Sequence, residues 1–135
     1  MVSMNNSNTN PLKGTWGFIC SEEDVLREDR DRFSENRLLG ATMICIEELD
    51  KSIVLQYKSE VFHVKKNKFI TRLSPMFVWG DIVLMKDKMK EAVVKSICWH
   101  YKEERYFYML KDVKKRYYSE QLVLLRHGDK GDKNE

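Results

Sequence analysis

The sequence predicts a mostly β protein built as two small barrels in tandem, with a short helical insertion in its N-terminal half. Three observations predict it. Aromatic and β-branched residues recur at two-residue spacing in short runs, the period of a strand whose alternate side chains face a core. Charged or Gly-containing turns separate those runs. The strand order and spacing of the first half recur in the second at low identity, which marks a structural repeat.

Taken in order, residues 1–10 are rich in Asn and Ser, offer little to bury, and are predicted to be disordered. Gly14 to Cys20 reads as a first strand with Trp16 and Phe18 on one face. Ser21 followed by Glu22, Glu23 and Asp24 resembles a helix N-cap with acids in the first turn, so 21–35 is predicted as the helical insertion, anchored by Val25, Leu26 and Phe33. Strands at Leu39 to Glu48, Ser52 to Tyr57 and Glu60 to Lys65 follow, and Phe69 to Leu73 closes the set. Residues 11–73 thus make the N-terminal barrel and 74–126 the C-terminal one, with a disordered tail over 127–135.

In the second half, Gly80 and Asp81 separate two apolar runs, and Ile82 to Met85 is the first strand. The second, Ala92 to His100, carries Val93, Val94, Ile97 and Trp99, which suit a half-buried pleated surface. A polar turn at Tyr101 to Arg105 leads to the third strand, Tyr106 to Leu110. The cationic loop Lys111 to Lys115 then leaves a short fourth strand, Arg116 to Tyr118. Ser119 to Gln121 supplies one helical turn before the closing strand, Leu122 to Leu125. Three meandering strands, a short fourth, one helical turn and a closing strand make the plan of an SH3-like barrel. Closure is favoured because an open sheet of about fifty residues would expose its edges and bury little.

The same segment resembles a known family. Pro75, Phe77, Gly80, Asp81 and Val83, then Val93, Val94, Ile97, Trp99 and His100, then Tyr106, Tyr108 and Leu110, and finally Lys115, Arg116, Tyr117, Tyr118, Glu120 and Leu122 form a pattern similar to the C-terminal domain of small uncharacterised bacterial proteins with SH3-like, Tudor- or KOW-like barrels. One position departs: such barrels often have Gly where Glu91 and Ala92 stand. The resemblance implies a fold, and barrels of this kind serve many functions.

Composition bounds the chemistry. With 42% hydrophobic and 33% charged residues the chain is globular, and a net charge of +3 gives no general mandate for nucleic acid. Residues 1–73 hold 11 Lys plus Arg against 11 Asp plus Glu, whereas residues 74–135 hold 13 against 10. Cys20, Cys45 and Cys98 are odd in number and lie in strand-like runs, which suits reduced thiols and a cytoplasmic location. No leader is recognisable at the N-terminus and no run is long enough to span a bilayer, so no membrane partner is expected.

Catalytic readings are weak. Cys98 and His100 share a strand face, but no second pair stands at ligand spacing, so neither metal nor cofactor is expected. His63 is expected to point outward beside Glu60 or Lys65, and His127 falls in the tail with no role. The acids Asp24, Glu28, Asp29, Asp31, Glu47, Glu48 and Asp50 are interleaved with Arg or placed in turns, as on a solvated face, so the chain is not expected to be an enzyme. The aromatic and cationic grouping carries more. Trp99, Tyr101, Arg105, Tyr106, Lys111, Lys114, Lys115, Arg116 and Tyr117 are the predicted binding residues, since a small barrel cannot bury every ring. The first functional reading is a non-catalytic module that binds a protein partner through exposed edge strands or a groove between barrels, inhibitor and immunity-type proteins being special cases. The alternative is an RNA- or DNA-binding module in which exposed rings stack on bases beside cations.

Overall fold

The computed structural model describes residues 11–128 and divides into two units, Met1–Ser74 and Pro75–Glu135. Each unit is mostly β, a five-stranded antiparallel sheet, and the first also carries one α-helix. No helix among the described residues is long and apolar enough to cross a membrane. The predicted disorder of residues 1–10 lies outside the described residues.

The first unit comprises β1 (Trp16–Phe18), α1 (Arg27–Glu35), β2 (Met43–Glu48), β3 (Ser52–Tyr57), β4 (Glu60–Lys65) and β5 (Ile70–Arg72). Its sheet order is β4-β3-β2-β1-β5. Gly17 sits where β1 meets β5 so closely that a Cβ would collide with the Ile70 carbonyl; only glycine allows that approach. The predicted helical stretch is broken. A 3₁₀ turn, Glu22–Asp24, is capped by the Ser21 hydroxyl, which accepts from the Glu23 N–H at 3.2 Å. Val25 then turns extended to bridge Val64, and the Leu26 N–H donates to the His63 carbonyl at 2.8 Å before α1 begins. Burial explains the interruption: Val25 and Phe33, two of the predicted anchors, are both fully buried, and the chain must bend to reach both positions. Phe33 meets Phe62 edge-on at 5.4 Å. Around them Ile19, Met43, Ile53, Leu55 and Val64 complete the core.

The second unit comprises β6 (Ile82–Met85), β7 (Lys90–His100), β8 (Arg105–Leu110), β9 (Arg116–Tyr118) and β10 (Leu122–Arg126), in the order β10-β6-β7-β8-β9. Read from its last strand, each unit therefore runs fifth, first, second, third, fourth. A 3₁₀ turn joins the fourth strand to the fifth in both, Lys66–Lys68 and Ser119–Gln121. In the second unit this turn is secured by the Tyr118 N–H, which donates to Gln121 Oε1 at 2.8 Å. No ladder joins β4 to β5 or β9 to β10 among the described residues, so the pairings leave each sheet open at two edges where the sequence predicts closure.

β7 serves two neighbours. Lys90 to Val93 pair with β6, and from Val94 onward the strand pairs with β8, with a register shift between Val94 and Ser96. The buried set is Phe77, Trp79, Val83, Met85, Val94, Ile97, Tyr106, Tyr108, Leu110, Tyr117 and Leu122. The Tyr108 hydroxyl accepts the Met76 N–H at 2.9 Å, and its ring meets Phe77 edge-on at 5.1 Å. Asp81, 1% exposed, accepts from the Val78 N–H at 2.9 Å and the Gly128 N–H at 3.3 Å, and lies 3.2 Å from His127 Nδ1. The start of the predicted tail, His127 and Gly128, is thus tied back onto a buried carboxylate that needs donors.

Candidate binding face on the C-terminal unit

Strand parity decides which rings of the second unit reach its surface. Along β8, Tyr106, Tyr108 and Leu110 are buried while Arg105, Phe107 and Met109 alternate with them on the opposite face. Phe107 stands opposite Cys98 on β7 and Tyr118 on β9; Met109 stands opposite Ser96 and Arg116; Arg105 stands opposite His100. The outer face therefore gathers three rings: Phe107 and Tyr118 with centroids 6.2 Å apart, and His100 at 6.3 Å and 6.4 Å from them.

Two guanidinium groups lie over this face. Arg105 is 3.6 Å from the Tyr118 ring centroid and Arg116 is 4.4 Å from that of Phe107, close enough for cation–π attraction. Their electrostatics differ. Arg105 donates to Glu120 at 2.9 Å and Glu103 at 2.8 Å, and Glu120 foremost, then Glu103, holds its charge more firmly than in water. Arg116 has no carboxylate partner among the described residues; Phe107 is its contact. His100 Nδ1 accepts the Glu103 N–H at 3.1 Å, which puts the proton of the neutral ring on Nε2. Burial raises the Cys98 thiol pKa, against a smaller opposing pull from Arg116. No group of three His, Cys, Asp or Glu able to hold a metal ion exists among the described residues.

Of the predicted binding residues, Arg105 and Arg116 belong to this face. Lys111 and Lys114 are exposed in the hairpin loop leading to Arg116, and Tyr101 is 62% exposed in the turn after β7. Of the other four, the two buried tyrosines need correction. Tyr106 is buried, and Trp99 stands on the same inner side, half-buried and edge-on to Tyr106 at 4.9 Å. Tyr117 is fully buried, with its hydroxyl 3.0 Å from Asp87. Lys115 is exposed but occupied, pairing with Asp87 at 3.0 Å and lying 5.0 Å from the Tyr117 ring. Phe107, Tyr118 and His100 take the place of the buried rings. The β8 alternation alone was enough to find Phe107; on β7 the register shift hides it, because Val94 and Ile97 are three apart and both buried.

A second cluster joins α1 to β4 in the first unit. Asp29, 8% exposed, accepts the His63 backbone N–H at 2.7 Å and faces His63 Nδ1 at 2.9 Å and the Arg32 guanidinium at 3.0 Å. Burial pushes its pKa up, yet the His63 and Arg32 interactions together outweigh this and leave it below the ordinary carboxylate value. Arg32 also reaches Glu60 at 2.7 Å and the Val61 carbonyl at 3.0 Å, and lies 4.5 Å over Phe62. Instead of projecting beside Glu60 or Lys65 alone, His63 turns to a helix carboxylate, and Asp29 is no solvated acid. The donors and acceptors of this cluster meet one another, and what they do is fasten the helix.

Fold and face define a mostly β protein of two units, one of which carries rings with arginines over them on its surface. Residues 19–123 match the family of unknown function DUF6960, and the chain belongs to that family. The match begins just after β1 and runs into β10, so it takes in both units. No curated protein and no solved structure matches the chain.

Proposed function

We propose that the protein is a non-catalytic interaction module made of two SH3-like barrels, and that its second unit takes an extended segment of a partner protein onto the free edge of β10. The barrel reading is supported by the shared strand order, by the 3₁₀ turn before the last strand of each unit, and by a long β7 divided between two neighbours. The likeness of residues 75–122 to small bacterial barrel proteins points the same way. The free cysteines suit a reducing, cytoplasmic setting.

The observation that carries the partner reading is the contrast among the four sheet edges. β4 carries Glu60 and Lys65 and is flanked by the Val25 bridge; β5 is three residues long and ends in Arg72; β9 is three residues long and begins with Arg116. Short strands and charges are the usual guards against unwanted pairing. β10 ends in Arg126 and shifts register between Leu124 and Arg126, but it is five residues long and its consecutive Val123, Leu124 and Leu125 are 41%, 37% and 41% exposed. A partner strand would pair with its backbone N–H and C=O groups while these aliphatics give side-chain selectivity. An inhibitor or immunity-type protein, which must hold one target tightly, is a special case.

Affinity capture from the native host with the parent and with Leu124→Lys tests this. The parent is expected to retain a stoichiometric protein that the variant loses, while both melt together. Equal retention by both, or no stoichiometric protein with the parent, overturns the reading.

A further inference from the structure

We infer that the outer face of β7, β8 and β9 is a stacking site for single-stranded nucleic acid, with Phe107 and Tyr118 as platforms, Arg105 and Arg116 as the planar layer over them, and Lys111 and Lys114 as phosphate contacts. The site is separate from the free edge of β10 and does not rest on the partner proposed for it.

Charge distribution is the first support. Residues 95–120, which include the outer-face residues of all three strands and both connecting loops, hold 7 Lys plus Arg against 4 Asp plus Glu. That excess of three equals the net charge of the whole chain, +3, so the remainder of the protein is balanced. A local cationic field beside rings is the footprint of a nucleic-acid face.

The division of labour between the two arginines is the second. Arg105 is neutralised by Glu103 and Glu120 and is therefore a poor anchor for an anion, but the two carboxylates hold its guanidinium over the Tyr118 ring, 3.6 Å from the centroid. A guanidinium held in this way offers its outer plane to a base, and guanidinium planes are established stacking partners for unpaired bases. Arg116, over Phe107 with no carboxylate partner among the described residues, combines the same plane with an available charge. A ligand that was only an anion would find one of the two guanidiniums already spent. A base-bearing polyanion uses both.

Ring spacing selects the strandedness. Phe107 and Tyr118 have centroids 6.2 Å apart and planes inclined at 67°, so bases lying on the two rings are neither parallel nor at the about 3.4 Å spacing of stacked neighbours. Neighbouring bases reach separate platforms only if they are unstacked, which a single strand allows and a duplex does not.

The test is fluorescence anisotropy with labelled single strands of roughly 12 nucleotides, as DNA and as RNA, a length within the range covered by single small-barrel domains. The same sequence as a duplex, inorganic polyphosphate of matched charge and a poly-glutamate peptide complete the set, at about 20 and 200 mM salt. At least one single strand is expected to bind, with the duplex, polyphosphate and peptide each about tenfold weaker or more, and with affinity falling as salt rises. Phe107→Leu, which keeps an apolar group in the strand, and Arg116→Ala are each expected to weaken binding about tenfold, within the range of losing one base stack. Arg116→Lys, which keeps charge but not the plane, should still lose severalfold. Lys68→Ala in the first unit should change affinity less than twofold. Failure of both single strands at low salt, equal or tighter binding of duplex, polyphosphate or peptide, or indifference to Phe107→Leu and Arg116→Ala in folded protein overturns the inference.

Discussion

Both units place an arginine over a phenylalanine, and they use it in opposite ways. In the first, Arg32 covers Phe62, a ring with no exposure, and its guanidinium is shared among Asp29, Glu60 and the Val61 carbonyl. In the second, Arg116 covers Phe107, a half-buried ring on an open face, and makes no ion pair among the described residues. The difference comes from the connection between the first and second strands. Between β1 and β2 the chain inserts a 3₁₀ turn and α1, which supply Val25, Phe33, Asp29 and Arg32 to the neighbouring sheet. Between β6 and β7 there is only a tight turn, closed by the Met89 N–H donating to the Met85 carbonyl at 2.7 Å. An insertion that brings its own anchors turns a contact into core; without it, the same pair of residue types stays on the surface, where it has little to do for folding and can serve a ligand.

The most damaging expected change is Phe33→Ala. Removing a fully buried ring that meets Phe62 edge-on should cost about 3–5 kcal/mol, measured by denaturant unfolding. If the comparison is right, the cost falls on the first unit, and hydrogen exchange in β7 and β8 should stay protected under conditions that release β3 and β4.

Asp29→Asn should cost about 2 kcal/mol at neutral pH, the scale of hydrogen bonds to a charged group. The pH dependence has a definite sign. The folded carboxylate titrates below its ordinary value, so its contribution is present above the unfolded pKa of about 3.9 and is lost as pH falls through the lower, folded one. The gap between parent and variant should hold constant at pH 6 and above and narrow only below about pH 4. A gap that closes near pH 6 would assign the effect to another group.

The paired arginines give the sharpest contrast. Arg32→Met should cost about 1–2 kcal/mol, reduced from the fully buried case because its side chain is 40% exposed. Arg116→Met should move stability by no more than about 0.5 kcal/mol. Equal effects would erase the distinction between core and surface arginine. The smallest expected effect is a gain: Met89 is exposed and held at φ +55° in the β6–β7 turn, and Met89→Asn should raise stability by about 0.5 kcal/mol, because Asn tolerates the left-handed region better. Thermal melting resolves a change of that size.

Much of the strand plan was legible because alternation is a local property. Ser52 to Tyr57, Glu60 to Lys65, Ile82 to Met85 and Arg116 to Tyr118 form as read, and the single helical turn at 119–121 stands where its hydrogen-bonding side chains suggested. The predicted start of a strand at Leu39 fails because Gly40, at φ +80°, turns the chain, and β2 begins at Met43. Part of the outer face was visible: Arg105 and Arg116 were named, but Trp99, Tyr106 and Tyr117 were taken from the inner side of the sheet. A run such as Tyr106, Phe107, Tyr108 offers two faces of nearly equal apolarity, and composition does not say which one is inward.

The amino-acid order by itself determined where most strands and turns fall and the modest concentration of charge in the second half, because each depends on neighbours along the chain. Only the tertiary structure decided which rings reach solvent and what His63 and Asp29 do. The register shift in β7 changes the parity of every residue beyond it, and the contact between His63 and Asp29 joins residues 34 positions apart. Both arise from pairing across the sheet, and no window of sequence contains that pairing.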